Sequence, residues 1–236
     1  MLDRPHQRSV TISEAAATQL VMLPGTLCDE RLYTSVLDHL GLNANVPVLD
    51  GSDDAATMAR RVLDRLPSRF ALVGFSLGGI VALEMAAQAP ERLDRLALIG
   101  CNPGRLSPDA ARARAAQSRA SFVASSRAHT HPALHKLIDD MAGDTSISVY
   151  QQQTAITLSR ADSRPRLAHI TVPTLIICGA DDVVCPPAFS REMAELIPQA
   201  RLALVEGAGH YVTLERPDAV ATEIAAWLAM PTHSSN

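Results

Sequence analysis

Gly74-Phe75-Ser76-Leu77-Gly78 sets a serine between glycines, directly after the apolar run Ala71-Leu72-Val73 and at the start of a stretch with helical period. A nucleophile on a sharp strand-to-helix turn needs small residues at its crowded flanks, and Gly74, Gly78 and Gly79 meet that demand. A helix opening at Leu77 adds free N–H groups and the positive end of its dipole beside the serine, which favours a developing oxyanion. A serine hydroxyl is barely ionised at neutral pH, so it needs a base, and the base needs an orienting acid. Both residue types follow downstream. Asp181-Asp182 comes after the apolar run Leu175 to Cys178, and His210 ends the loop Glu206-Gly207-Ala208-Gly209 after the run Arg201 to Val205. Ser76, Asp182 and His210 thus stand in the order serine, acid, histidine, each just past the end of an apolar run, where parallel sheets place their sites. The chemistry this predicts is acyl transfer to Ser76. Gly207-Ala208-Gly209 lacks the third glycine of a dinucleotide fingerprint, since Val212 occupies that place, which argues against a nucleotide-dependent oxidoreductase.

These residues need a scaffold, and the hydrophobic pattern supplies one. Short apolar runs at 19–23, 46–49, 70–75, 93–99, 174–178 and 201–205 alternate with helical stretches. Runs apolar nearly throughout predict mostly parallel strands covered on both faces by helices. Helices are expected over 53–66 with Ser52 as N-cap, over 77–88 stopped by Pro90, and over 215–230 opened by Pro217. Between residues 103 and 170 no strand-like run occurs and the composition is helical. The expected organisation is a core of residues 1–102 and 171–236 with residues 103–170 inserted as a helical cap.

The 236 residues carry 21 basic and 25 acidic side chains, a net charge of −4, with 47% hydrophobic and 3% aromatic residues. An acidic, aromatic-poor chain without a basic tract is a poor nucleic-acid partner. No apolar run long enough to span a membrane occurs, and charges within the first twenty residues break any secretory leader, so a cytoplasmic protein without a membrane partner is expected. Cys28, Cys101, Cys178 and Cys185 are widely spaced without C-x-x-C, which reads as reduced core thiols rather than a zinc site. His129, His131 and His135 lack an acid or cysteine to complete a metal set and read as surface residues, as do the arginines of the insertion, for which pairing to a substrate carboxylate is the lesser reading. Arg160 to Arg164 is expected to anchor the insertion's return to the core.

Leu23 through Leu32, Phe70 through Arg92, Pro173 through Pro187 and Gly207 through Pro217 resemble the α/β-hydrolase superfamily, and more narrowly small bacterial serine hydrolases related to esterases, enol-lactonases and meta-cleavage-product hydrolases. The resemblance implies the α/β-hydrolase fold, a cofactor-free triad of Ser76, Asp182 and His210, and an oxyanion hole from the N–H groups of Thr26 and Leu77. It also favours Asp182 over Asp181, because Asp182 stands three residues after Gly179 and four before Pro186, as the acid does in similar sequences. Two departures stand out. Pro24-Gly25 replaces the His-Gly of many relatives, and so few residues precede the first core strand that the N-terminal antiparallel hairpin, of which 9–13 would be a remnant, is expected to be truncated or missing. Thr26, Leu27, Phe75, Leu77, Tyr211 and Val212 flank the inferred site, with Leu27, Phe75 and Tyr211 expected to touch substrate. The expected activity is hydrolysis of a small carboxylic ester through an acyl-enzyme. The same triad acting on a C–C bond, lactone or thioester or in perhydrolysis, and a ligand-sensing protein without turnover, compete with it. Oligomeric state is not readable from the sequence.

Overall fold

Strand side chains point alternately to opposite faces of a sheet, so a strand apolar at every position needs cover on both sides. In the computed structural model, which describes residues 19–232, this holds for β1 (Leu20–Leu23), β2 (Phe70–Phe75) and β4 (Thr174–Gly179), buried at every position. With β3 (Leu93–Ile99) and β5 (Ala200–Val205) they form a sheet in the order β1-β2-β3-β4-β5, every neighbouring pair parallel.

Parallel neighbours require crossover connections. After β1 come α1 (Thr34–Leu40) and α2 (Ala55–Leu63), and α3 (Leu77–Gln88) links β2 to β3. Between β3 and β4 lie α4 (Pro108–Ala116), α5 (Arg119–Ala128), α6 (His135–Asp144), α7 (Ile147–Ser159) and α8 (Arg164–Leu167). α9 (Pro187–Leu196) precedes β5, and α10 (Val212–Glu215) and α11 (Pro217–Leu228) follow it. Val21, Leu23, Phe70, Leu72 and Ile176 pack with α2, α3 and α9 on one face. Met22, Val73, Phe75, Leu175 and Ile177 pack on the other with Val36 of α1 and Ile224 and Trp227 of α11.

Three expectations shift. Residues 46–49 form no strand, and only Asn45 bridges to Val21 beside them. Pro47 has no N–H to donate to a ladder, and Val48 points to solvent at 63% exposure. α2 is shorter than 53–66, and its N-cap is Asp54, whose carboxylate accepts from the Thr57 N–H at 2.8 Å, while Ser52 Oγ accepts from the Asp54 N–H in a preceding turn. The last helix begins at Pro217, as the proline requires, with α10 as a separate turn before it. The expected truncation of the N-terminal hairpin, residues 9–13, lies outside the described residues.

Within the segment between β3 and β4, serines start the helices. Ser107, Ser118 and Ser146 each accept, through Oγ, an N–H of the first turn of α4, α5 and α7. Neither α4 nor α5 buries a residue. The segment joins the core through Ile138, Met141, Ile156 and Leu167, and polar side chains add ties to the rest of the chain, Arg166 to Glu84 of α3 at 2.6 Å and Gln153 to the loops after β1 and before α2.

Candidate active site

β2 ends at Phe75 and α3 begins at Leu77, so Ser76 alone makes the turn. Its backbone sits at φ 51°, ψ −110°, a strained conformation for a residue with a Cβ. The Ser76 N–H donates to the Ile99 carbonyl at 2.9 Å, and the Ser76 carbonyl accepts from Gly79 and Ile80, which fixes the strain in place. The turn also needs its glycines. A Cβ on Gly74 would stand 2.5 Å from the Gly78 carbonyl oxygen, and one on Gly78 would stand 2.2 Å from that of Leu23.

His210 Nε2 lies 3.1 Å from Ser76 Oγ, and its Nδ1 lies 2.8 Å from Asp182 Oδ2. Asp182 is held from its other oxygen, since Oδ1 accepts the N–H groups of Val184 and Cys185 at 2.8 Å each, and its side chain is fully buried. A carboxylate can only accept, so it places the imidazole proton on Nδ1 and leaves Nε2 to accept from the serine hydroxyl. Asp181 is exposed, with its N–H bound to the Ala208 carbonyl, and takes no part in this chain of contacts. Phe75 packs against the imidazole with ring centroids 5.0 Å apart. Gly100, which the motif reading missed, follows β3 at φ +52°, and a Cβ there would stand 3.3 Å from His210 Nδ1 and 3.4 Å from Asp182 Oδ2. A glycine ending an apolar strand was its only signal.

Past β1 the chain turns at Gly25 to Cys28, with Leu27 at φ 59°. The Leu27 N–H donates to Gln153 Oε1 at 2.9 Å, and Gln153 Nε2 donates to the Leu49 carbonyl at 3.2 Å. Gln153, almost wholly buried, therefore clamps this loop from α7, 126 residues away in sequence. Among the described residues the N–H groups of Thr26 and Leu77 meet no hydrogen-bond acceptor, and both residues line the same cavity as Ser76.

That cavity has a volume of about 640 Å³. Phe75 and Tyr211 line it, with Leu106, Ala113 and Phe122 from the segment between β3 and β4. Leu27 and Val212 do not. Leu27 packs against Ala142 and Tyr150, its direction set by the Gln153 clamp, and Val212 of α10 is buried in the core cluster with Val220 and Ile224 of α11. All four cysteines are free and buried. Burial, helped by the neighbouring Asp29 charge, pushes the Cys28 thiol up to about 12, and burial also raises Tyr211. The histidines of the segment divide. His129 lines the cavity, the His131 ring accepts the Ala133 N–H, and His135 Nε2 faces the Arg127 and Thr130 carbonyls at 3.0 Å each. Among the described residues no cluster of three histidines, cysteines or carboxylates could hold a metal ion, and no helix is long and apolar enough to cross a membrane. Arg112 and Arg127 pair with Asp109 and Asp139 near the surface, whereas Arg114 lines the cavity, contrary to the surface role expected of it.

The family model described as the alpha/beta hydrolase family matches residues 20–223. The chain belongs to the alpha/beta hydrolase family. Among relatives of this alpha/beta hydrolase, a pimeloyl-[acyl-carrier protein] methyl ester esterase of Nitrosomonas europaea is 28% identical over 84% of this chain and 91% of its own. A bifunctional biotin-biosynthesis protein of Teredinibacter turnerae is 26% identical over 89% of this chain, which spans 44% of that protein's length. An esterase structure from Exiguobacterium antarcticum superposes with a TM-score of 0.77 at 26% identity, covering 90% of this chain and 92% of its own. The alpha/beta hydrolase fold expected from the resemblance is thus the observed one.

Proposed function

We propose that this alpha/beta hydrolase is a serine hydrolase that cleaves a small carboxylic ester through an acyl-enzyme. The supporting observation is the unbroken contact chain Ser76 Oγ, His210 Nε2, His210 Nδ1, Asp182 Oδ2 at 3.1 and 2.8 Å, opening on a cavity with two unpartnered N–H groups. In this reading His210 Nε2 takes the Ser76 proton as Oγ attacks the ester carbonyl. The Leu77 and Thr26 N–H groups donate to the oxyanion of the tetrahedral intermediate. His210 then protonates the departing alkoxide and the alcohol leaves; a water deprotonated by the same nitrogen attacks the acyl-serine, the acyl–Oγ bond breaks to release the carboxylic acid, and His210 returns the proton to Ser76 Oγ. Asp182 stays ionised throughout and stabilises the transient imidazolium. Residues 103–170 act as a cap that shapes the acyl cavity. A panel of p-nitrophenyl esters of rising acyl length tests the reading. Turnover of short-chain esters, reduced by about 10⁴-fold or more in Ser76→Ala, is expected. Absence of ester turnover by the folded protein, or turnover that survives Ser76→Ala, would refute it.

A further inference from the structure

Arg160, the residue just after α7, is buried at 6% exposure and lines the cavity that holds Ser76. Its Nε donates to the Gly104 carbonyl at 2.7 Å, within the same segment, and its Nη2 is buried without any hydrogen-bond partner. No carboxylate offsets its charge. The ionisable groups that act on it are the thiols of Cys101 and Cys185, both neutral because burial pushes Cys101 up to about 12 and Cys185 well above its ordinary value. An isolated buried cation is costly unless an anion or a full set of acceptors meets it.

Neighbouring arginines sharpen the contrast. Arg164 pairs with Asp162, Arg166 with Glu84, and Arg127 with Asp139. Arg95, also buried without an acid partner, donates to the carbonyls of Trp227 and Leu228 at the C-terminal end of α11, where the helix dipole compensates its charge. Arg160 has one carbonyl and an open cavity wall. Arg114 lines the same cavity, stacked 4.8 Å from the Phe122 ring centroid and 5.1 Å from that of Tyr150. Its Nη1 donates to Tyr150 Oη at 2.8 Å, and its Nη2 is likewise buried and unpartnered. Among the lining residues there is no aspartate or glutamate.

We infer that Arg160, seconded by Arg114, forms an anion subsite of the active-site cavity, and that the substrate class is an ester bearing one carboxylate, such as the monoester of a short dicarboxylic acid. The inference deepens the esterase reading and rests on it. A planar guanidinium offers two parallel donors to a carboxylate, so a single negative group satisfies the orphaned nitrogen and the uncompensated charge together. Phe75, Phe122, Leu106 and Ala113 supply the apolar path for the short chain between carboxylate and ester.

The test compares kcat/KM for monomethyl glutarate and for methyl pentanoate, neutral and of matching chain length, by methanol release. The wild-type protein should prefer the anionic ester by about 10- to 100-fold, the range expected of a charge-assisted pair. That ratio should fall to near one in Arg160→Met and partway in Arg114→Met. Calorimetry of glutarate with Ser76→Ala reads the subsite without turnover. Saturable binding there supports it even if neither ester is cleaved, in which case the esterase reading alone fails. Equal or poorer use of the anionic ester, with methyl pentanoate turned over through Ser76, overturns the subsite and leaves the esterase. Should Arg160→Met not fold, the wild-type ratio and the glutarate titration decide, and absence of both the preference and the binding overturns the inference.

Discussion

Strands β2 and β4 are buried along their whole length, whereas α4 and α5 bury no residue at all. The sheet is held by apolar contact on both faces. Much of the segment between β3 and β4 joins the cores on those faces through Ile138 and Met141 of α6, Ile156 of α7 and Leu167 of α8, with side-chain ties from Arg166 to Glu84 and from Gln153 to Leu27 and Leu49, whereas α4 and α5 stay outside them. The difference assigns the two regions different tolerances. Apolar packing is dense and leaves the turn at Ser76 and the Asp182 loop no room to move. Helices that bury nothing, α4 and α5, can vary in sequence, and with them the cavity wall they line, while the reacting groups stay fixed.

The largest effects should therefore come from the strand ends. Asp182→Asn should lower kcat by about 10⁴, as amide replacement of a triad acid does, while Asp181→Asn should cost less than about tenfold. Steady-state kinetics on both, with circular dichroism to establish folding, checks this, and the reverse order would move the acid to Asp181. Gly100→Ala should follow. Its Cβ would force a φ of +52° and press on the His210–Asp182 pair, so about a 10²-fold loss in kcat is expected with a melting temperature lowered by several degrees.

Changes in the helical segment should be smaller and differently expressed. Gln153→Ala removes the partner of the Leu27 N–H and the Leu49 carbonyl, a stability cost of about 1–3 kcal/mol. Because Leu27 adjoins Thr26, kcat should fall by about tenfold with KM little changed, as a loosened oxyanion loop requires. An unchanged kcat with lowered stability would reduce Gln153 to a structural tie. Phe122→Ala, at a half-buried cavity position, should change the preference among acyl chain lengths by about tenfold with little effect on stability. Equal loss on all acyl lengths would count against the cap.

The smallest effect concerns the buried thiols. Burial raises Cys28 and Cys101 to about 12 and Cys178 to about 11 from an ordinary 9.0, so they stay protonated in the folded protein at pH 8. The native chain should leave a thiol-specific disulfide reagent at pH 8 nearly unreacted, and the unfolded chain should react at all four. Raised folded values also mean that this contribution to stability is intact below pH 9 and declines as pH rises beyond it, which a melting-temperature series would detect. Rapid labelling of the native protein would show that the core opens.

The parts of the fold legible in the sequence are those whose burial is local. β2 and α3 coincide with residues 70–75 and 77–88, because an apolar run reports cover on both faces and Pro90 and the glycines mark the helix ends. Residues 46–49 carry the same apolar signal without the partner strand, since Pro47 removes a donor. Ser76, Asp182 and His210 are readable because each follows an apolar run, and the structure brings them within hydrogen-bond distance. Gln153 and Arg160 were not readable as site residues, and Arg114 only as the lesser reading of the segment's arginines. Their contacts to Leu27, Tyr150 and Gly104 span 126, 36 and 56 residues, and no local spacing encodes a partner so far along the chain.

Labelling with a fluorophosphonate, followed by peptide mass spectrometry, tests the assignment of Ser76 most directly, since a phosphonate reports the one serine activated by a neighbouring imidazole. The expected result is a single adduct on the peptide containing Ser76, absent from Ser76→Ala and strongly reduced in His210→Ala. An adduct on another residue, such as Ser126 on the cavity wall, or undiminished labelling of Ser76→Ala, would contradict it.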